Sequence, residues 1–316
     1  MDPDFGAPLH RRDLLRSAAL AAAALTLRLP LAACSRGDAV ASSAARDPDR
    51  DRLARWSETL RAERLVPPEA HLGRAAARVG ELAAGTPYQA QTLEAYIRQG
   101  GTPATSEPLT LSLTHFDCVT LVEACLAVAR VAGGGTPATW DGFGREIERM
   151  RYRGGTRRGY ASRLHYFSEW ITDGERRGLV RDLGRELGGV EDDRPLRFMT
   201  SHRDSYPALA DEAVFRDIEA IERRLDPRPR RVVPTARIAE VEDRIESGDV
   251  LAFATVIPGL DVTHAAFAYR DDQGVLRVLH APLSGGVVEI TGRTLPEYVA
   301  AIRRSSGILV VRPSWG

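Results

Sequence analysis

A polar-to-apolar boundary near the middle of the chain constrains the fold more than any other stretch. Residues 114–130 begin Thr114-His115-Phe116-Asp117-Cys118 and continue Val119-Thr120-Leu121-Val122-Glu123-Ala124-Cys125-Leu126-Ala127-Val128-Ala129-Arg130. Asp117 is suited to cap a helix, because its carboxylate can accept from the orphan N–H groups of the first turn. Cys118 then opens that helix, where the positive end of the dipole favours the thiolate, the nucleophilic form of cysteine. Val119, Val122, Leu126 and Ala129 recur on one face, and Leu121, Cys125 and Val128 fill another. The spacing therefore predicts a buried helix whose N-terminus opens on a cleft. The competing reading is a core helix that carries two cysteines, since free cysteine packs as a small hydrophobe. On this stretch alone both stay open.

Composition narrows the chemistry. The 43 acidic and 43 basic residues balance, so no global field recruits nucleic acid, and that class of partner is set aside. Every basic residue is arginine, which excludes Schiff-base chemistry and a lysine-dependent phosphate loop. Three cysteines in 316 residues make no disulfide framework. Cys118 and Cys125 are two helical turns apart, about 10.5 Å along an intact helix, which is too far for a disulfide.

The N-terminus has a secretory layout. A basic head, His10-Arg11-Arg12-Asp13-Leu14-Leu15-Arg16, precedes an alanine and leucine run over residues 18–27, then Leu31-Ala32-Ala33-Cys34. The run is too short to stay as a membrane-spanning helix. Leu31-Ala32-Ala33-Cys34 resembles the bacterial lipobox, in which the cysteine is lipidated and becomes the first mature residue, and Arg11-Arg12 with Leu14-Leu15 resembles a twin-arginine signal. Residues 1–33 are thus expected to be a signal peptide, Cys34 a lipid anchor, and residues 34–51 a flexible tether. An ordinary N-terminal amphipathic helix is the alternative. The expected location is the bacterial cell envelope, as a periplasmic lipoprotein held to a membrane.

Residues 52–65 and 71–84 read as helices, with Leu53, Trp56 and Leu60 on one face of the first. Residues 93–97 form a short helical turn, and 107–113 a strand leading into the Cys118 helix. Residues 153–160, rich in arginine and glycine, read as a flexible basic loop of the sort that lies over an active site or merely at the surface. Residues 164–171 and 211–225 read as helices, and 226–234, with three prolines, as a connector. The last eighty or so residues change character. Strands are predicted at 249–257, 262–270, 275–281, 287–291 and 308–312, with one helix at 295–304. Helices first and closely spaced strands afterwards indicate an α+β fold with an antiparallel sheet, spanning residues 52–316 as one catalytic domain.

Two histidines fall in that sheet, His264 in Asp261-Val262-Thr263-His264-Ala265-Ala266 and His280 in Val278-Leu279-His280-Ala281-Pro282. The turn Asp271-Asp272-Gln273-Gly274 makes their strands a hairpin. A three-residue loop with Gly274 left-handed pairs Ala266 with His280 and places His264 diagonally on the same face, about 7–8 Å away. A one-residue slip would put the histidines on opposite faces. Cys118 as nucleophile, His264 as base and His280 as the group orienting the imidazole is the arrangement this suggests. Zinc is the rival use of His115, Cys118, Cys125, His264 and His280, but no paired structural-zinc spacing is present. No metal and no cofactor are expected. His115 is read as lining the cleft or as structural.

Several separate motifs in one order then resemble a known family. Gly85-Thr86-Pro87-Tyr88, Phe116-Asp117-Cys118-Val119-Thr120-Leu121-Val122-Glu123, Phe198-Met199-Thr200-Ser201-His202, Gly248-Asp249-Val250, Gly259-Leu260-Asp261-Val262-Thr263-His264, and Leu279-His280-Ala281 with Gly286-Val287-Val288 are similar to the DUF1460 group of N-acetylmuramoyl-L-alanine amidase-like proteins, within the NlpC/P60 cysteine peptidase superfamily. The resemblance implies a papain-like α+β core in which the nucleophile helix packs on an antiparallel sheet, with additional N-terminal helices. It implies Cys118, His264 and His280 as catalytic residues, and Tyr88, Asp117, Ser201 and Asp261 near the substrate. The substrate it implies is peptidoglycan or a muropeptide, cleaved between N-acetylmuramic acid and L-alanine. Pro282 departs from the serine often found there. A γ-D-glutamyl-diamino-acid endopeptidase and a non-catalytic peptidoglycan-binding lipoprotein are the alternatives.

Overall fold

The computed structural model describes residues 47–67, 71–134, 137–283 and 286–315. The expected signal peptide, Cys34 and most of the tether lie outside the described residues. Ten helices are described: α1 (Pro48–Ala62), α2 (Leu72–Leu82), α3 (Ala95–Arg98), α4 (Cys118–Gly133), α5 (Trp140–Arg151), α6 (Phe167–Arg176), α7 (Phe198–Ser201), α8 (Glu212–Leu225), α9 (Ile238–Val241) and α10 (Leu295–Ala301). They surround strands β1 (Val180–Asp182), β2 (Val190–Asp192), β3 (Arg230–Pro234), β4 (Val250–Thr255), β5 (Val262–Arg270), β6 (Leu276–His280), β7 (Glu289–Ile290) and β8 (Ser305–Pro313). The strands form one antiparallel sheet in the order β2-β3-β8-β4-β5-β6-β7, with β1 also on β8. This is the α+β architecture expected.

Both faces of the central strands are covered. Ala252, Ala265, Phe267, Leu279 and Leu309 join Leu53, Trp56, Val79, Leu121 and Cys125 in one core. Leu251, Phe253, Ala266, Val278 and Val310 join Ile238, Leu295 and Val299 in the other. Alternation along β5 therefore sends odd-numbered residues toward the α1–α2–α4 side and even-numbered ones toward α10. α1 starts at Pro48, inside the expected tether, because the Asp47 side chain caps it by accepting from the Asp49 and Arg50 amides. Its Leu53, Trp56 and Leu60 are the buried face, as the spacing requires.

α2 can lie so close to the sheet only because two glycines meet. Gly248 precedes β4 with φ of 88°, and a Cβ there would sit 1.8 Å from the Gly73 carbonyl oxygen of α2. Gly248→Ala must therefore both strain the backbone and push α2 off the sheet. It should cost about 3 kcal/mol or more, read as a lower urea midpoint at unchanged m-value.

One strand reading and two loop readings are corrected by where the backbone groups go. Residues 107–113 are extended but join no ladder. Their polar backbone is taken elsewhere: Asp49 accepts from the Leu113 amide, Arg151 donates to the Thr110 carbonyl, and Arg158 accepts from the Glu107 amide through its own carbonyl. Residues 153–160 are pinned instead of loose. Arg153 grips Glu169 with two nitrogens and Arg157 donates to the Glu107 carbonyl. That segment borders a groove of 460 Å³ against α8, lined by Arg153, Arg158, Asp217 and Arg224 among others, but not by Cys118 or the histidines. Within 226–234, Arg230–Pro234 is a strand, its prolines at the ends leaving Arg230 to Val233 free to pair with β2 and β8.

Candidate active site

Cys118 begins α4, as expected, and a reciprocal capping box holds the turn. Thr120 N–H donates to Asp117 Oδ1 at 2.8 Å, and Asp117 N–H donates to Thr120 Oγ1 at 2.8 Å. Farther along α4, Glu123 accepts from Arg151 at 2.8 Å in a fully covered ion pair, which ties α4 to α5. The helix is thus fixed at its start and one turn in. Cys118 itself is buried at 9% exposure, just within reach of solvent.

The β5–β6 hairpin has the register read from its turn. Phe267 pairs with Leu279, Ala268 with Val278, Tyr269 with Arg277 and Arg270 with Leu276. Gly274 is left-handed, with φ of 79°. His264 and His280 consequently share a face, and His264 Nε2 and His280 Nδ1 are hydrogen-bonded at 2.8 Å. His264 stacks on Phe253, and His280 meets Tyr298 of α10 edge-on, so the pair lies on the α10 side of the sheet.

Cys118 comes from the other side, and the place where it reaches β5 explains how the groups converge. The ladder to β6 stops at the Phe267–Leu279 pair. Continuing it would put His280 opposite Ala266 and Ala281 opposite Ala265, and the Ala265 amide is among the backbone groups that favour the Cys118 anion. That amide is one residue from His264, which brings the start of α4 to the unlaced margin of β5. No hydrogen bond joins the thiol to His264; His264 Nδ1 is buried and unpartnered. Catalytic hydrogen bonds that are long without substrate commonly tighten in the complex.

Electrostatics differ from the thiolate expected at a helix start. Burial, then the Asp117 carboxylate, pushes the Cys118 thiol up to about 12, outweighing the Ala265, Val119 and Cys118 amides that favour the anion. Burial, then His280, lowers His264 to about 3, and burial lowers His280 to about 4. The resting arrangement is a neutral thiol facing neutral imidazoles. Cys125 is 1% exposed in the core and burial raises its thiol as well.

The other candidates separate. Tyr88 is held by its amide on the Gly286 carbonyl and bridges to Phe116. Burial, then Cys118 and Asp117, raises its phenol to about 12, which places it at the site. Asp261 is 2% exposed and accepts from the Ser168 amide and hydroxyl and from the Val262 amide, tying α6 to the start of β5. Its place is that of a strut behind His264. Ser201 is exposed in α7, whose neighbouring Arg197 and Phe198 amides bond to the Gly259 carbonyl in the loop leading to β5. His115 Nδ1 bonds to Ser112 Oγ at 3.1 Å and lines a small cavity with Thr120, a structural place. Among the described residues no three His, Cys, Asp or Glu side chains gather as a metal site. Tyr298 and Glu289, both beside His280, were not foreseen. The helix of Tyr298 was legible, but the 283–288 connection gives no register for Glu289.

The fold and site define an α+β protein that brings a helix-borne thiol to the margin of an antiparallel sheet carrying paired histidines. The family model described as AmiA-like, N-acetylmuramoyl-L-alanine amidase-like, matches residues 78–308, and the chain belongs to that family. An N-acetylmuramoyl-L-alanine amidase from Bacteroides uniformis ATCC 8492 is similar at 29% identity and a TM-score of 0.70, covering 77% of this chain and 99% of its own. A Bacteroides fragilis protein provisionally described as a xylanase is similar at 31% identity and a TM-score of 0.66, covering 74% and 99%. Protein LPG0564 of Legionella pneumophila, of family DUF1460, shares the fold at 16% identity and a TM-score of 0.60, covering 84% and 94%. Comparison with curated protein sequences gives no match.

Proposed function

We propose that this protein is a cysteine hydrolase of the cell wall, built on a papain-like NlpC/P60 core, that cleaves the amide between N-acetylmuramic acid and L-alanine in peptidoglycan fragments. One observation carries the reading. The Ala265 amide, which favours the Cys118 anion, is one residue from a His264 whose Nδ1 is buried and unpartnered and whose Nε2 is already occupied by His280. A nucleophile, a base with one free nitrogen and an orienting group are thereby in sequence. A glycosidase needs a pair of carboxyl groups flanking its bond; here the Asp117 carboxylate is engaged in the α4 capping box and Glu289 lies beyond His280, which leaves a thiol and an imidazole as the reacting pair. Membership of the amidase-like family and likeness to the Bacteroides uniformis amidase support the substrate class.

In this mechanism the thiol attacks the lactyl carbonyl carbon of the muramic acid while His264 Nδ1 takes its proton. Backbone N–H groups at the start of α4 face the oxyanion that forms. The C–N bond breaks as His264 returns the proton to the L-alanine nitrogen, and the peptide leaves. Water then attacks the thioester, His264 again taking the proton, and the C–S bond breaks to free sugar acid and thiol. Because thiol and imidazole both rest neutral, proton transfer accompanies attack instead of preceding it. Tyr88 and Asp117 border the entry side. Export, with lipidation of Cys34 and a periplasmic, membrane-held location, completes the proposal and suits a murein substrate.

Digestion of a defined muropeptide tests it, with products resolved by mass. Release of free N-acetylmuramic acid-containing sugar and an intact peptide beginning at L-alanine is expected. Cleavage after D-glutamate would make the enzyme an endopeptidase, and binding without products would make it a non-catalytic lipoprotein; either result overturns the amidase assignment.

A further inference from the structure

The His264–His280 hydrogen bond can hold its proton in two ways, and only one leaves a base for Cys118. If His280 carries hydrogen on Nδ1, it donates to His264 Nε2, and neutral His264 must then carry its own hydrogen on Nδ1, the nitrogen proposed to take the thiol proton. If His280 carries hydrogen on Nε2, its Nδ1 accepts from His264 Nε2–H, and His264 Nδ1 is a free lone pair. The tautomer of the second histidine thus decides the basicity of the first.

One side chain selects between these states. Register pairs His280 with Glu289 across β6 and β7, and Glu289 Oε1 lies 3.5 Å from His280 Nε2. That nitrogen is buried and without a hydrogen-bond partner, while Glu289 is 52% exposed and has room to close the few tenths of an ångström needed. On the opposite nitrogen, the Tyr298 hydroxyl stands 3.4 Å from His280 Nδ1 and can donate or accept there, so it selects neither state. An ionised carboxylate only accepts, so Glu289 favours hydrogen on Nε2.

We propose that Glu289 is a positioning residue which fixes His280 as its Nε2–H tautomer and so keeps His264 Nδ1 available as the base. The sequence of donors runs from Cys118 Sγ–H to His264 Nδ1, from His264 Nε2–H to His280 Nδ1, and from His280 Nε2–H to Glu289. No group changes its charge at rest. When His264 takes the thiol proton, the imidazolium is stabilised through His280 by a carboxylate at the far end. The inference rests on the thiol–imidazole reading above, and its central observable does not need turnover.

Long-range proton–nitrogen spectra of the full chain labelled at histidine report the tautomer directly. Wild type should show His280 protonated on Nε2, and Glu289→Ala should shift it toward a mixture. With the muropeptide as substrate, Glu289→Ala should lose about tenfold or more in kcat with KM little changed, the pattern of a misplaced proton. Hydrogen on Nδ1 of His280 in the wild type overturns the proposal, as does a Glu289→Ala variant with unaltered tautomer and kcat. If the tautomer follows Glu289 while no muropeptide is cleaved by the wild type, the amidase reading fails and the positioning of His280 stands.

Discussion

Cys118→Ala is expected to lower muropeptide hydrolysis by about 10⁴-fold or more, because no other group gathered at the site can form the acyl intermediate. Its affinity for the same muropeptide, measured by titration calorimetry on an inactive mixture, should stay close to that of the wild type. Only a single sulfur is removed, so the fold survives. Cys125→Ala is the matched comparison. Cys125 lies in the same helix two turns on, buried among Leu, Val and Ala side chains. Its truncation should cost about 1 kcal/mol of stability and leave kcat alone. The two cysteines thereby exchange phenotypes, one losing chemistry and the other losing packing. Hydrolysis unchanged in Cys118→Ala would return Cys118 to the core and remove the nucleophile from the mechanism.

What could be read beforehand was whatever depended on short-range rules. Asp117 and Thr120 signalled the start of α4 because capping is a local exchange of hydrogen bonds. Gly274 set the hairpin register, and register alone put two histidines on one face, so the most informative contact in the site followed from one turn. What could not be read depended on partners far away in the chain. Residues 107–113 have strand-like side chains, but Asp49, Arg151 and Arg158 take their backbone groups. β1 and β2 are three residues each, too short to carry a pattern, and exist because β8 and β3 offer edges. The resemblance implies Asp261 near the substrate, and no local rule could show that its carboxylate accepts from Ser168, far away in the chain. The charge state of Cys118 was misjudged for a related reason. The helix dipole is a local property, whereas burial and the nearby carboxylate that overcome it depend on the assembled cleft.

The neutral histidines make the fold sensitive to acid in a way that two substitutions should remove. Folded, His264 is lowered to about 3 and His280 to about 4, both by burial first; unfolded, each returns to about 6.5. Between those values the unfolded chain binds protons that the folded chain refuses. The stability they supply is therefore complete above about pH 6.5 and is lost as pH falls toward the folded values. The slope is at most about 1.4 kcal/mol per pH unit for each histidine, so the pair can cost up to about 5 kcal/mol between pH 6.5 and 4.5. Buried Glu107, Glu123, Asp249 and Asp261 have raised values and act in the opposite sense, holding protons in the folded state that the unfolded chain has released. A difference measurement isolates the histidines from them. In His264→Gln combined with His280→Gln, the amides can still hydrogen-bond but cannot titrate, and urea midpoints should fall much less steeply from pH 7 to 4.5 than in the wild type. Parallel midpoint curves would mean that the pair is charged in the folded state. The resting thiol would then face an imidazolium, and attack would have to begin from the thiolate.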